Sequence, residues 1–130
     1  MVEDDLARQL GAEKFVSLTT FKRDGSAVAG PMWIAPDGEH LVVWTPADSW
    51  KVKRARRDPR VELRPCNRTG KVAAEAPVLH GTAEVVTDPS YVSRAEAAIK
   101  TKYGFEFHVI TCVEAVLARG RKTRVALRIS

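Results

Sequence analysis

The sequence predicts an α+β fold in which one antiparallel sheet closes on itself. Three observations lead to this class. Short segments rich in β-branched and aromatic residues recur between tight turns, a short basic helix follows the third of them, and one or two further helices precede a last alternating strand. The chain has 130 residues, of which 45% are apolar and 28% charged. These values are typical of a globular protein with one core, so we expect a single domain over residues 1–130.

The first third of the chain predicts a short helix and three strands. Apolar residues at helical spacing indicate the helix, which Gly11 would close. A turn at Asp24-Gly25 joins the first two strands as a hairpin. Pro31 lies inside the second strand and, because proline cannot donate to a strand ladder, it predicts a sheet edge or a bulge there. The predicted ranges are 4–10 for the helix and 15–21, 26–35 and 40–45 for the strands.

The third strand leads directly into a predicted basic helix. Thr45 would cap this helix and Pro46 would occupy its first position, with an acidic residue three positions after the cap. The helix should run through Arg57, because Asp58-Pro59 is a stop signal. We expect the chain to return to a strand at Val61.

The second half of the chain predicts three more strands and at least one longer helix. Asp88-Pro89 opens a helix with an apolar stripe, and Gly104 ends it. Residues 105–118 are ambiguous and are assigned as helix. The remaining predicted strands cover residues 61–64, 78–87 and 123–129.

The charge is positive and unevenly distributed. The formal net charge is +5 and the pI is about 9.5, while residues 51–71 contain nine Lys or Arg and two acids. An anionic partner is therefore expected, and a phosphorylated small molecule fits better than nucleic acid, because no nucleic-acid motif is present and aromatics do not alternate along the basic helix. The acidic residues 1–5 do not resemble a signal peptide, and no apolar run could span a bilayer, so we expect a cytoplasmic protein.

The start of the basic helix is a candidate phosphate site. Free backbone N–H groups and the helix dipole favour an anion there. Ser49 can donate a hydrogen bond to a phosphate oxygen, Lys51 and Lys53 can supply charge, and Thr45 lies nearby. The alternative interpretation of the same run is a solvated basic helix face, which spacing alone does not exclude.

The pattern resembles the split β-barrel flavin-binding superfamily that includes pyridoxamine 5′-phosphate oxidase. The resemblance extends over roughly residues 6–130 and depends on the order and spacing of several short motifs. These are Thr45, Ser49, Lys51 and Arg57-Asp58-Pro59-Arg60-Val61, the upstream Thr19-Thr20, Asp24-Gly25 and Pro31-Met32-Trp33, and the downstream His80-Gly81-Thr82-Ala83.

The resemblance implies an antiparallel split β-barrel that forms a homodimer with two cofactor sites at the subunit interface. Within the superfamily the chain looks closest to the actinobacterial branch that uses the deazaflavin coenzyme F-420. That cofactor carries a phosphodiester and an oligoglutamate tail, which suits the basic run, and FMN is the alternative. Trp50-Lys51 replaces the Arg-Lys pair typical of oxidases of pyridoxamine phosphate, which argues against vitamin B6 oxidation.

The implied function is hydride transfer between a deazaflavin and an unidentified small organic substrate. Such a protein anchors the cofactor, which carries the chemistry, so no catalytic acid and no metal ligand are assigned. An FMN-dependent reductase and a non-catalytic carrier of such a cofactor or of haem remain as alternatives. The residues assigned to cofactor binding are Pro31, Met32, Trp33, Thr45, Ser49, Trp50, Lys51 and Lys53.

Overall fold

The computed structural model describes residues 2–110 and 123–130, and this part of the chain contains seven strands and three helices. Residues 105–110 are also helical. The elements are, in chain order, α1 (Val2–Ala12), β1 (Phe15–Phe21), β2 (Ala27–Met32), β3 (Ala35–Asp37), β4 (His40–Pro46), α2 (Trp50–Arg57), β5 (Arg60–Cys66), β6 (Leu79–Val86), α3 (Pro89–Tyr103) and β7 (Arg124–Ile129).

The strands form one antiparallel sheet in the order β2-β1-β5-β6-β7-β4-β3. This is the α+β split β-barrel that the sequence predicts. Two apolar clusters stabilise it. Leu10, Leu63 and Leu127 belong to the first cluster, against which α1 and α2 pack, while Val42 and Ile99 belong to the second, which lies under α3.

The predicted start of the basic helix near Pro46 is wrong. Pro46 still pairs with Arg124 in the ladder between β4 and β7, and the Ala47 N–H continues that ladder by donating to the Thr123 carbonyl at 2.9 Å. The helix begins only at Trp50. The Thr-Pro signature is local, and pairing with a strand from the other end of the chain overrides it.

The predicted second strand, 26–35, is two strands. β2 ends at Met32 and β3 begins at Ala35, so the basic helix follows the fourth strand and not the third. Side chains of α3 bind the polar groups of the intervening peptide. Pro31 lies in β2, which is an edge strand, as the sequence predicts.

Other boundaries agree more closely. Asp58-Pro59 ends α2, and the chain returns to strand β5 at Arg60. Asp88 caps α3 and Gly104 ends it. Gly11 does not close α1, which continues to Ala12 and packs so closely that a Cβ at Gly11 would lie 3.2 Å from a methyl carbon of Leu41. Residues 105–110 are helical as predicted, and the rest of the segment 105–118 lies outside the described residues.

None of the helices in the described ranges combines the length and the apolar character that crossing a membrane requires.

Candidate functional site

A cavity of about 250 Å³ lies where the ends of β2 and β4 meet the first turn of α2. Ile99 of α3 contributes to its wall, and Trp44 and Ile110 also line it. We refer to it as the Lys51 cavity. It brings together five of the eight residues assigned to cofactor binding from the sequence: Pro31, Met32, Trp33, Thr45 and Lys51.

Strand pairing explains why residues so distant in sequence meet there. Thr45 and Pro46 are the last residues of β4, opposite Val125 and Arg124 at the start of β7. Arg124 therefore lines the cavity as well. Its contribution was not predicted, because nothing in the sequence gives the register between these two strands.

Lys51 is a half-buried cation without a counter-ion in the part of the chain that the structure describes. None of the described carboxylates pairs with it. Burial lowers the pKa of its ammonium, and repulsion from Arg54 and Arg124 lowers that pKa further. The Arg124 guanidinium lies over the Trp44 ring, with Cζ 4.2 Å from the ring centroid, and burial lowers the pKa of Arg124 too. The Glu96 carboxylate offsets part of the Arg124 charge, so Lys51 is the cation that chiefly makes this cavity a favourable place for an anion.

Three buried polar atoms in the segment 44–49 have no hydrogen-bond partner among the described residues. They are Trp44 Nε1, Thr45 Oγ1 and Ser49 Oγ. Leaving such a group unpaired costs about 1–3 kcal/mol. Thr45 is only 1% exposed, so water has little access to its hydroxyl. All three atoms can donate, which suits a ligand with acceptor oxygens.

Ser49 has a further connection to the site, because it is the N-cap residue of α2. Its side chain makes no capping hydrogen bond. The first N–H groups of a helix have no intrahelical partner, and the dipole favours negative charge beside them. Sequence reasoning assigned Ser49 to the phosphate site but put the helix start four residues too early.

The aromatic wall of the cavity is held rigidly. Trp33 lies between β2 and β3, and its indole ring stacks on the Tyr103 ring with centroids 4.3 Å apart and planes 9° from parallel. Burial raises the pKa of Tyr103 to about 12, so this phenol stays protonated at neutral pH. Trp44 packs against the second apolar cluster and also lines the cavity.

The two remaining predicted residues, Trp50 and Lys53, lie elsewhere. They line a separate cleft of about 690 Å³, which we call the Trp50 cleft, together with Lys22, Arg23, Arg54 and Arg57. Trp50 is 69% exposed, and Lys53 Nζ lies 4.4 Å from its ring centroid. Consecutive helix residues point about 100° apart. The basic run is therefore divided between an inward Lys51 and an outward basic surface.

Solved structures of other proteins have a similar fold. The conserved hypothetical protein Rv2991 of Mycobacterium tuberculosis is 25% identical, with a TM-score of 0.72 over 100% of this chain and 80% of that one. An F420 reductase is 18% identical, with a TM-score of 0.61 over 94% and 90%. HutZ, the heme storage protein of Vibrio cholerae, is 11% identical, with a TM-score of 0.68 over 97% and 87%. The last two likenesses concern the fold alone.

No curated protein matches the chain. A family model described as pyridoxamine 5′-phosphate oxidase does match, over residues 2–130. The match includes every element of the sheet and every residue that lines the cavity, and the chain therefore belongs to the pyridoxamine 5′-phosphate oxidase family.

Proposed function

We propose that the protein is an oxidoreductase that binds the deazaflavin coenzyme F-420 in the Lys51 cavity and transfers hydride to a small organic substrate. One observation carries this proposal. The buried hydroxyl of Thr45 and the half-buried ammonium of Lys51 line the same cavity, and within residues 2–110 and 123–130 neither has a polar partner. Such a donor set is costly in the free protein and becomes favourable when an anionic ligand binds.

The residues present fit the phosphate end and the ring of such a cofactor. Lys51 and Arg124 would supply positive charge, and the hydroxyls of Thr45 and Ser49 would donate hydrogen bonds to phosphate oxygens. Pro31, Met32 and Trp33 would form the wall beside the ring. The cofactor supplies the hydride chemistry when bound, so this chain has only to bind it, orient it and leave a face accessible to substrate.

The charge around the cavity favours a deazaflavin over FMN. FMN carries one phosphate, whereas the deazaflavin adds an oligoglutamate tail to its phosphodiester. The Trp50 cleft presents five cations, and no carboxylate is among the residues that line it. Lys51 is close enough to Arg54 of this cleft to feel its charge. The likeness to an F420 reductase agrees with this choice, and FMN remains the alternative ligand.

The cavity of one chain is small for a cofactor. Its volume of about 250 Å³ is below the 300–1,000 Å³ typical of ligand sites. Ile110 and Phe105, in the helical segment 105–110, are both exposed, and Ile110 also lines the cavity. We therefore propose a cytoplasmic homodimer in which the partner subunit covers this segment and completes the site.

The test is equilibrium binding of oxidised and reduced deazaflavin and of FMN, followed by quenching of tryptophan fluorescence. Trp33 and Trp44 line the cavity, so a bound ring should quench them. We expect the deazaflavin to bind more tightly than FMN. Tighter binding of FMN would reassign the cofactor, and no binding of either would reject the proposed function.

A non-catalytic carrier of the cofactor, or of haem, is the second candidate. One observation bears on it: among the described residues, no carboxylate and no imidazole lines the cavity, which leaves no such proton donor for turnover and suits a carrier of the deazaflavin better than a carrier of haem, whose iron needs a side-chain ligand. The fold likeness to a heme storage protein shows that such proteins adopt this architecture. Reduction of artificial acceptors by the protein with reduced deazaflavin bound would support the enzyme. Tight binding without any turnover would support the carrier.

A further inference from the structure

The break between β2 and β3 leaves a buried peptide that no strand can satisfy. Ile34 lies outside both strands and is fully buried. Its N–H donates to Tyr103 Oη at 3.1 Å, and its carbonyl accepts from Lys102 Nζ at 2.6 Å. Two consecutive residues of α3 thus replace the missing strand neighbour for both backbone polar groups of Ile34.

The same two residues fix the aromatic wall. Trp33 immediately precedes Ile34, and its ring stacks on Tyr103. The Tyr103 hydroxyl also donates to the Lys14 carbonyl at 2.8 Å, which fixes the orientation of the phenol. The position of the Trp33 indole is therefore determined by α3 from two directions, through its ring and through the peptide that follows it.

Lys102 uses all three of its ammonium N–H bonds on backbone carbonyls. Besides Ile34, it donates to Gly11 at 2.7 Å and to Glu13 at 2.5 Å. An ammonium has three donors, so this arrangement is saturated. The cation ties the end of α1 to the wall of the cavity, although neither Lys102 nor Tyr103 lines the cavity itself.

We propose that Lys102 and Tyr103 are positioning residues that hold the Trp33 wall in the geometry that binds the cofactor ring. This inference rests on the proposed function of the Lys51 cavity. It makes ligand affinity depend on two side chains that do not touch the ligand. A displaced wall costs affinity because the free protein must first restore it.

The charge state of Lys102 gives this arrangement a pH dependence. Burial lowers the pKa of Lys102 to about 8, while the Glu13 carboxylate acts in the opposite direction. The other group facing the ammonium is the Tyr103 ring, whose centroid lies 5.0 Å from Nζ. Loss of the proton removes one of three donors. Affinity should therefore fall as the pH rises past about 8, and Lys51 will add its own alkaline effect.

The test compares Lys102→Met and Tyr103→Phe with two controls on the same helix. Lys100→Met removes an exposed lysine, and Tyr91→Phe removes a phenol that donates to Asp37 at 2.7 Å, away from the cavity. We expect affinity for deazaflavin or FMN at pH 7 to fall about five- to tenfold in the first two variants, because the displaced wall must be restored before the ring binds. The controls should bind like the wild type. Wild-type affinity in folded Lys102→Met and Tyr103→Phe would overturn the proposal.

The pH profile separates positioning from a general loss of stability. Lys102→Met should show a smaller loss of affinity between pH 7 and pH 9 than the wild type, because the ammonium that titrates near pH 8 is absent. An identical pH profile in both proteins would also overturn the proposal. A variant that was merely destabilised would keep the wild-type profile.

A measurement without ligand tests the position of Trp33 separately from the proposed function. With Trp44 and Trp50 replaced by Phe, Trp33 is the one tryptophan left, and acrylamide quenching reports its exposure. Tyr103→Phe and Lys102→Met should increase quenching and accelerate hydrogen exchange at the Ile34 amide. If no cofactor binds the wild type but these changes occur, the positioning role stands and the proposed ligand is wrong. Unchanged quenching would show that the wall does not need the pair.

Discussion

Thr45 and Val125 face each other across the ladder between β4 and β7, and they differ in one respect that matters to function. Both are buried, but the Thr45 hydroxyl has no hydrogen-bond partner among the described residues. A valine has nearly the same shape and no polar atom. The Thr45 hydroxyl therefore lowers the stability of the protein without ligand. It lies at the edge of the cavity that Lys51 also lines.

Thr45→Val should stabilise the protein and weaken ligand binding. Removing an unsatisfied buried hydroxyl should raise the free energy of unfolding by about 1 kcal/mol. Affinity for the deazaflavin should fall, because a donor is lost. Urea unfolding and fluorescence titration measure the two effects.

Thr20→Val provides the matched control for that substitution. Thr20 is an equally buried strand threonine, but its hydroxyl accepts a hydrogen bond from Arg54 Nε at 2.7 Å. This substitution should therefore lower the free energy of unfolding. A loss of stability in Thr45→Val, similar to that in Thr20→Val, would show that the Thr45 hydroxyl is satisfied within the protein.

Acid should weaken the end of α2 through Asp58. The hydrogen bonds that its carboxylate accepts from the Arg60 side chain and backbone lower the pKa of Asp58 to about 2. Because the folded-state pKa is below the unfolded value of 3.8, the contribution is fully present above about pH 4 and is lost as the pH falls toward 2. In Asp58→Asn, urea midpoints should fall less between pH 5 and pH 2.5 than in the wild type.

Asp5→Asn is the control for the acid experiment, because that carboxylate is exposed on α1 with one ion pair at 4.0 Å. Its midpoints should follow those of the wild type. Equal acid sensitivity in Asp58→Asn and in the wild type would mean that the Asp58–Arg60 pair makes no contribution to folding.

The protein should be a dimer through the segment 105–110. Phe105 is 80% exposed there, which is unusual for a large apolar side chain, and we expect a total buried area of ~1,600 Å² or more. Phe105→Glu should give a folded monomer with reduced cofactor affinity. Sedimentation at tens of micromolar checks this, and a wild-type monomer would count against the shared site. Leu41 and Val43 of β4 are buried within the chain, so they offer no exposed apolar surface to such an interface.

Local signals in the sequence were enough to predict most of the fold. Asp58-Pro59 and Asp88-Pro89 are chemically strong helix boundaries, and they lie where predicted. Pro31 indicated an edge strand because it cannot donate to a ladder. The family resemblance, carried by the same motifs, agrees with the match over residues 2–130.

Long-range contacts account for what the sequence could not predict. The true start of α2 depends on Arg124 pairing with Pro46, and the break after Met32 depends on Lys102 and Tyr103 binding the Ile34 peptide. The presence of Arg124 in the cavity follows from the same register. Trp50 was assigned to the site because an indole can stack on a cofactor ring, but Trp50 and Lys51 are neighbours on a helix and face different directions.

The central claim is that Lys51 anchors an anionic cofactor, and titration of Lys51→Ala with deazaflavin at low salt tests it most directly. A charge-assisted hydrogen bond contributes roughly 1.5–3 kcal/mol, so affinity should fall about 10- to 150-fold. Thermal stability should not fall, because Lys51 is a half-buried charge that no described carboxylate pairs with. Lys100→Ala, on the exposed side of α3, should bind like the wild type. Wild-type affinity in Lys51→Ala would contradict the account and leave the basic helix as a solvated surface.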